Sequence, residues 1–387
     1  MNVSAMHNTV RGYAWGSTDL LATMRGAEPS GDKEAEVWMG AHPGAPSVLV
    51  RSGGSTPLDR AITDDPVGTL GASLASRYGR LPFLLKLLAA AEPLSLQAHP
   101  SLERARAGFE RENRAGIAID AAHRSYKDNN HKPELICALT QFRALVGFRP
   151  TEETLALFES LEVAALDPVM SVLRAQPSAS DLSDLLRWIL TLDENTGAAL
   201  AHDVGAAVQA HGRWEAERSV ARAISRVHPG DPGVITALML NTVVLEPGQA
   251  VHLGAGVLHA YVDGLGVEIM ASSDNVLRGG LTPKHVDIDE LCCVVDAAPG
   301  EVEVLVGTET DGEFVYQTSS VEFELRRIEL TGETARQAAG PEILVATAGS
   351  VSVDGRRLDP GSSVFVPAGV RWSAIGHGQL FRALVPQ

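Results

Sequence analysis

Cysteine is scarce: Cys137, Cys292 and Cys293 are the three in 387 residues. So few, so placed, exclude a disulfide framework, and the adjacent pair lacks the two-residue gap of a zinc knuckle. All three are expected as inert thiols in the core. Positive charge is also short, with 32 Lys and Arg against 48 Asp and Glu. The net charge of −16 disfavours nucleic acid and anionic membrane as partners and leaves any small anionic substrate to a local basic pocket. Long apolar runs are missing, since nothing approaches the roughly 18 residues of a membrane span. The opening MNVSAMHNTV has no basic segment leading into an apolar one, so a cytoplasmic protein is expected. No glycine-rich phosphate loop opens a helix.

What is present is ordinary globular usage, 45% hydrophobic and 21% charged. The chain is longer than the roughly 100–200 residues of one domain, so two or three packed units are expected. PFLLKLL and LSLQAHP, joined by the AAAEP turn, read as two short strands. In the second, Ser95, Gln97 and His99 alternate with Leu94, Leu96 and Ala98, which places the polar three on one face. Pro100 stops that strand, and Ser101 is placed to cap a helix over SLERARAGFERENRAG. A polar loop from Gly116 to about Asn130 follows. HKPELICAL then resumes the strand pattern, with Lys132 and Glu134 on one side.

From about Thr151 to Val227 the period becomes helical: Leu182, Leu185, Leu186 and Ile189 form one stripe, and Val220, Ile224 and Val227 repeat it. Strand-like text returns at TALMLNTVVLEPG and persists almost to the end. Within it lies a repeat. PGQAVHLGAGVLH (Pro247 to His259) and PGSSVFVPAGVRW (Pro360 to Trp372) agree without gaps in Pro, Gly, Val, Ala, Gly and Val. A Pro-Gly turn, a short alternating strand and a second glycine turn are the local pattern of a double-sheet jelly roll, so two related β-barrels are expected. The first copy ends in His259 and the second in Trp372; if His259 is a ligand, the second barrel has lost it.

Gln97, His99, Glu134 and His259 together offer two imidazoles, a carboxylate and an amide oxygen, a set suited to a borderline cation such as Zn²⁺. Spacing alone leaves the alternative open, because a Gln-x-His pair in a half-buried strand is also common as structure. Lys86, Ser95, Lys132, Tyr261, Glu268, Arg278 and Lys284 lie in the same segments, and Lys and Arg are natural partners of a phosphate. Each has an ordinary surface or packing role as its alternative. The exception is Lys86, whose ammonium in the run PFLLKLL would be costly without a partner.

Four stretches carry a resemblance to a known family: YAWGS with EVWMGAHPGAPS, PFLLKLLAAAEPLSLQAHPS, YKDNNHKPELICAL, and GAGVLHAYVDGLGVEIMASSDNVLRGGLTPKH. In this order, from Tyr13 to His285, they resemble the type I phosphomannose isomerases. The resemblance implies a fold that is mainly β with an α-helical insertion, a bicupin of two jelly-roll barrels plus a helical domain. Residues 1–150 and 236–295 would form the catalytic cupin, 151–235 the helical insertion, and 296–387 a C-terminal cupin-like barrel without a metal site.

It also implies one Zn²⁺ per chain on Gln97, His99, Glu134 and His259. Arg278, Lys132 and Glu268 would be catalytic, and Lys86, Ser95 and Tyr261 would bind substrate. The implied reaction interconverts mannose 6-phosphate and fructose 6-phosphate through a cis-enediol(ate). The implied partner is a small-molecule sugar phosphate, with no nucleic acid and no membrane, and the chain is expected as a monomer. The loop from Gly116 to Asn130 is expected to close over the sugar. Two rivals stand beside this reading, a non-catalytic sugar-binding cupin and a metal-dependent oxygenase; the glutamine ligand and the cations favour isomerisation.

Overall fold

The computed structural model describes residues 2–51 and 53–386. It is a mixed α/β structure with twelve α-helices and two ten-stranded sheets among the described residues. Helix is more widespread than the sequence pattern suggests. Besides those between Thr151–Glu159 and Gly233–Met239, helices cover Leu20–Arg25, Leu58–Asp64, Pro66–Leu70, Ala72–Arg77, Leu102–Arg114 and Ile288–Val294. Ser101 caps Leu102–Arg114 as expected, its side chain accepting from the Arg104 amide. No helix of the described residues is long and apolar enough to cross a membrane.

One sheet runs from Thr308–Thr310 through Glu324–Gln337, Arg371–Leu384, Glu342–Val353 and Ser363–Val366 to Ser4–His7, Val48–Arg51 and Gly54–Pro57. The first strand of the chain thus pairs with one of the last, Ala5 opposite Val364. The other sheet orders Leu240–Leu245, Phe142–Phe148, His259–Ala271, Phe83–Ala90, Glu36–Gly40 and Thr9–Arg11, with four shorter strands attached. Neither strand path closes on itself.

Alternation decides which side chains meet. Leu85, Leu87, Ala89, Leu135, Val267 and Ile269 join Ile343, Val345, Phe365 and Phe381 in one buried cluster between the sheets. The intervening Lys86, Glu134 and Glu268 therefore face the opposite way, with Leu88 and Ile136. The helices from Thr151 onward build a further core in which Leu182, Leu185, Leu186, Ile189, Val220 and Ile224 pack with Leu96, Ala98, Leu258 and Ala260. Those last four are the chain neighbours of Gln97, His99 and His259, so this helical core backs the candidate ligands. Leu94 departs from the expected alternation and packs on the cavity side with Tyr261.

The strands PFLLKLL and LSLQAHP do not pair with each other. Phe83–Ala90 pairs with Glu36–Gly40 and His259–Ala271, whereas Gln97–Ala98 is a two-residue strand between His259 and Leu277–Arg278. The two repeat copies share their backbone. Gly248 and Gly361 have φ of 87° and 88°, and Gly256 and Gly369 have 80° and 76°, all in the region that favours glycine. Leu253 opposes Glu134 just as Val366 opposes Glu342. Where the first copy ends in His259, Trp372 donates its indole N–H to Glu342 Oε2 at 2.9 Å.

The cysteines separate. Cys137 is buried, and burial pushes its thiol up to about 12. Cys292 is half-buried and Cys293 exposed, against the expectation of three core thiols, because the short helix Ile288–Val294 buries Leu291 alone.

The strand His259–Ala271 changes partners midway. His259 to Asp263 pair with Phe142–Phe148, with a register shift between Tyr261 and Asp263, and Gly264 to Ala271 pair with Phe83–Ala90. Gly264 makes the bend, at φ 124°, where a Cβ would stand 2.7 Å from the Gln141 carbonyl oxygen. Gly264→Ala is expected to destabilise the fold by at least about 1–3 kcal/mol, since strained backbone and backbone clash add. A urea midpoint equal to that of the wild type would show that the bend tolerates a side chain.

Candidate active site

The bend brings both ends of one strand to the same cavity. Its volume is about 550 Å³, and its walls include Lys86, Ser95, Gln97, Lys132, Glu134, Tyr261, Glu268 and Arg278. Gln97 lies directly opposite both His259 and Arg278 in the ladder, which puts the three side chains on one face. His99 and His259 are buried behind this wall.

The two imidazoles are oriented alike. His99 Nδ1 lies 2.8 Å from the Asn275 carbonyl oxygen, and His259 Nδ1 lies 2.9 Å from that of Val257. A carbonyl oxygen can only accept, so each Nδ1 carries the proton and each neutral ring presents a bare Nε2 lone pair. Burial holds the His99 pKa down to about 4, against the opposing pull of Glu134, so that ring is neutral at ordinary pH. Both Nε2 atoms are buried without a hydrogen bond, and both lie 3.4 Å from Glu134 Oε2. Burial opposes ionisation of Glu134, but Lys132 outweighs it and holds the carboxyl well below its usual range.

Two buried lone pairs and an anionic oxygen, all within 4.8 Å of one another, form a donor set that a divalent cation fits. Gln97 stands beside His259 in the ladder, within the same wall. Lys132 Nζ is 2.8 Å from the other carboxylate oxygen, Glu134 Oε1.

A second cluster faces the first. Lys86 Nζ sits 2.7 Å from Glu268 Oε2 and 3.3 Å from Glu36 Oε1. Burial works against this ammonium, and the two carboxylates outweigh it, so its pKa is raised. Tyr261 donates to Glu268 Oε1 at 2.9 Å and Trp38 donates to Glu36 Oε2 at 2.7 Å. Burial raises the Glu268 pKa, with Lys86 opposing and Glu134 and Glu36 reinforcing. Arg278 is half-buried and makes no hydrogen bond or ion pair among the described residues; burial lowers its pKa.

All eleven candidate residues from the sequence, Lys284 included, therefore belong to one cavity or its buried back wall. Sequence reasoning missed Glu36, Trp38 and Asp274, which also line it. The alternation of Glu36 and Trp38 in EVWMG was the available signal. Asp274 gave none, since it is placed by the hydrogen bond of its amide to Asp128 and by His42, whose Nε2 is 3.2 Å from its carboxylate. The loop from Gly116 to Asn130 contributes nothing to the cavity wall. Its second half is tied down rather than poised to move: Glu112 accepts from the Ser125 and Tyr126 amides, and Tyr126 donates to Glu290 at 2.6 Å.

Residues 3–151 match the family described as phosphomannose isomerase type I, catalytic domain. Along its length the chain is 39% identical to mannose-6-phosphate isomerase of Escherichia coli (strain K12), over 97% of each chain. It is 32% identical to mannose-6-phosphate isomerase 1 of Arabidopsis thaliana, over 93% of this chain and 88% of that one. Among solved structures, a zinc-bound mannose 6-phosphate isomerase superposes with a TM-score of 0.93 at 35% identity, and a point mutant of phosphomannose isomerase from Salmonella typhimurium with 0.92 at 36%; each covers 100% of both chains. The chain belongs to the type I phosphomannose isomerases.

Proposed function

We propose that the chain interconverts mannose 6-phosphate and fructose 6-phosphate, using one Zn²⁺ per chain and passing through a cis-enediol(ate). The observation that carries this is the convergence of the His99 and His259 Nε2 atoms on Glu134 Oε2, beneath a cavity furnished with cations. Zinc held by Gln97, His99, Glu134 and His259 supplies Lewis-acid polarisation of the substrate carbonyl.

The chain's own residues do the rest. Two ammonium groups, Lys86 and Lys132, face three carboxylates, Glu36, Glu134 and Glu268. That balance is negative, and a divalent cation turns it positive, which suits a phosphate ester. Two of the three Lys86 N–H donors are engaged by carboxylates, so the third, together with the Ser95 hydroxyl, is left to meet the phosphate.

Arg278, unpaired and half-buried, offers its fork to the oxygen that becomes negative as the C–H proton leaves. Glu268 carries the proton between C1 and C2, because its environment raises a carboxylate toward the working pH, and Tyr261 orients it. Lys132 holds Glu134 and reaches the sugar beside it.

The shared backbone of the two repeats supports a two-barrel reading: residues 1–150 and 236–295 as one cupin, 151–235 inserted, and 296–387 as a second barrel without a metal site. The net charge supports a monomeric chain that avoids nucleic acid, and the cations of the cavity supply the local basic pocket a sugar phosphate needs.

A coupled assay for fructose 6-phosphate, run with metal analysis before and after chelation, tests the reading. Turnover and bound zinc should vanish together and return together, and turnover that survives complete removal of metal would refute it. His259→Ala should lose bound zinc and drop kcat by more than about 100-fold, beyond what outer-shell changes cost. Arg278→Ala should lower kcat by about 100- to 1,000-fold at unchanged zinc content, and a normal kcat would remove it from the transition state.

The pH profile tests Glu268. A base is lost as it protonates, so kcat falls on the acid side. Lys86 lowers the Glu268 pKa, so Lys86→Met should move that acid limb to higher pH in saturating substrate. A limb that stays put, or moves down, assigns the base elsewhere.

A further inference from the structure

The short segment between the strands Glu313–Tyr316 and Glu324–Gln337 links two strands of the sheet away from the cavity, yet it reaches across to Tyr78, His131 and His252. His252 Nε2 lies 3.1 Å from Ser320 Oγ, Tyr78 donates to the Val321 carbonyl at 3.2 Å, and His131 Nε2 lies 2.8 Å from Glu322 Oε1. Phe323 is buried between the sheets. Glu322 is the unusual member. It is 7% exposed, and its Oε2 is buried with no hydrogen bond. Burial works against this carboxylate, yet His131 outweighs it and holds the group below its ordinary range, so the charge is kept for that partner.

Its partner explains it. A carboxylate can only accept, so His131 presents Nε2–H to Glu322. His131 is the chain neighbour of Lys132, and Lys132 Nζ stands 2.8 Å from Glu134 Oε1. Pro133 follows and confines Lys132 to extended backbone, and from Glu134 onward the chain is strand. Lys132 is thus fixed from its C-terminal side by covalent and strand geometry, and from its N-terminal side by the anchor on His131.

We infer that Glu322, contributed by the distant sheet, is a positioning residue of the isomerase reaction: through His131 it sets Lys132 against Glu134 and the sugar. This rests on the isomerase reading above. The second sheet then does more than shield the back of the site.

The full-length chain, loaded with zinc, is assayed for fructose 6-phosphate as wild type, Glu322→Gln, His131→Gln, the double variant and Tyr78→Phe. Glu322→Gln should lower kcat by about 10- to 100-fold, the scale of a small misplacement, with KM and zinc content near wild type. Its Tm should fall only slightly, since a glutamine oxygen still accepts from His131 although the charge that His131 favours is gone. The double variant should be no slower than His131→Gln alone, because one acts through the other. Tyr78→Phe, which loosens the same crossing elsewhere, should keep the wild-type kcat.

An inactive wild type sinks the isomerase reading and this inference with it. An active wild type whose Glu322→Gln variant keeps full kcat sinks this inference alone. So does a kcat loss shared equally by Tyr78→Phe, or losses that multiply in the double variant.

Discussion

Two histidine nitrogens and one glutamate oxygen are buried together with no hydrogen bond between them, and much of the surrounding structure serves to keep them so. Each imidazole is turned by a backbone carbonyl at its far nitrogen, Asn275 for His99 and Val257 for His259. Neutral rings with aligned lone pairs are costly to bury unless they meet a cation. The helical core behind Leu96, Ala98, Leu258 and Ala260 removes the room in which the rings could turn away.

The bent strand His259–Ala271 links that centre to the chemistry around it. One end supplies His259 and Tyr261, the other supplies Glu268, and the register shift between Tyr261 and Asp263 followed by the bend at Gly264 lets both face one cavity. Opposite them, the Glu36–Lys86–Glu268 cluster keeps an ammonium charged in a place where burial alone would neutralise it. The cavity is thus built mostly of paired charges, with Arg278 and Lys284 as cations in its wall that make no ion pair among the described residues.

The repeat shows how the same backbone can hold a different centre. In the second copy Glu342 occupies the ladder position of Glu134, and Trp372 stands where the first copy of the repeat has His259. The indole N–H bonds the carboxylate, and Arg382 completes it with Nε at 2.9 Å and Nη2 at 2.5 Å. There the cation facing the glutamate is a side chain of the protein itself, satisfied by hydrogen bonds and closed to ligands.

The sequence by itself determined the helical segment and the repeat, because each depends on local order: a helical stripe through Leu182 and Ile189, and glycines that demand positive φ at matching places; alternation set Gln97 beside His99 and Lys132 beside Glu134, while their meeting with His259 was implied only by the family resemblance. It also determined Lys86 as a residue that needs a partner, since an ammonium in an apolar strand has no other way to be buried. Tertiary structure alone decided who that partner is. Glu36 and Glu268 are 50 and 182 residues away from Lys86 and meet it through strand register. The same holds for Asp274, for the anchored loop before Asn130, for the exposed Cys293 and for Glu322, whose roles come from packing between distant segments. Such contacts leave no period or spacing in the chain, because they are set by which strands lie side by side.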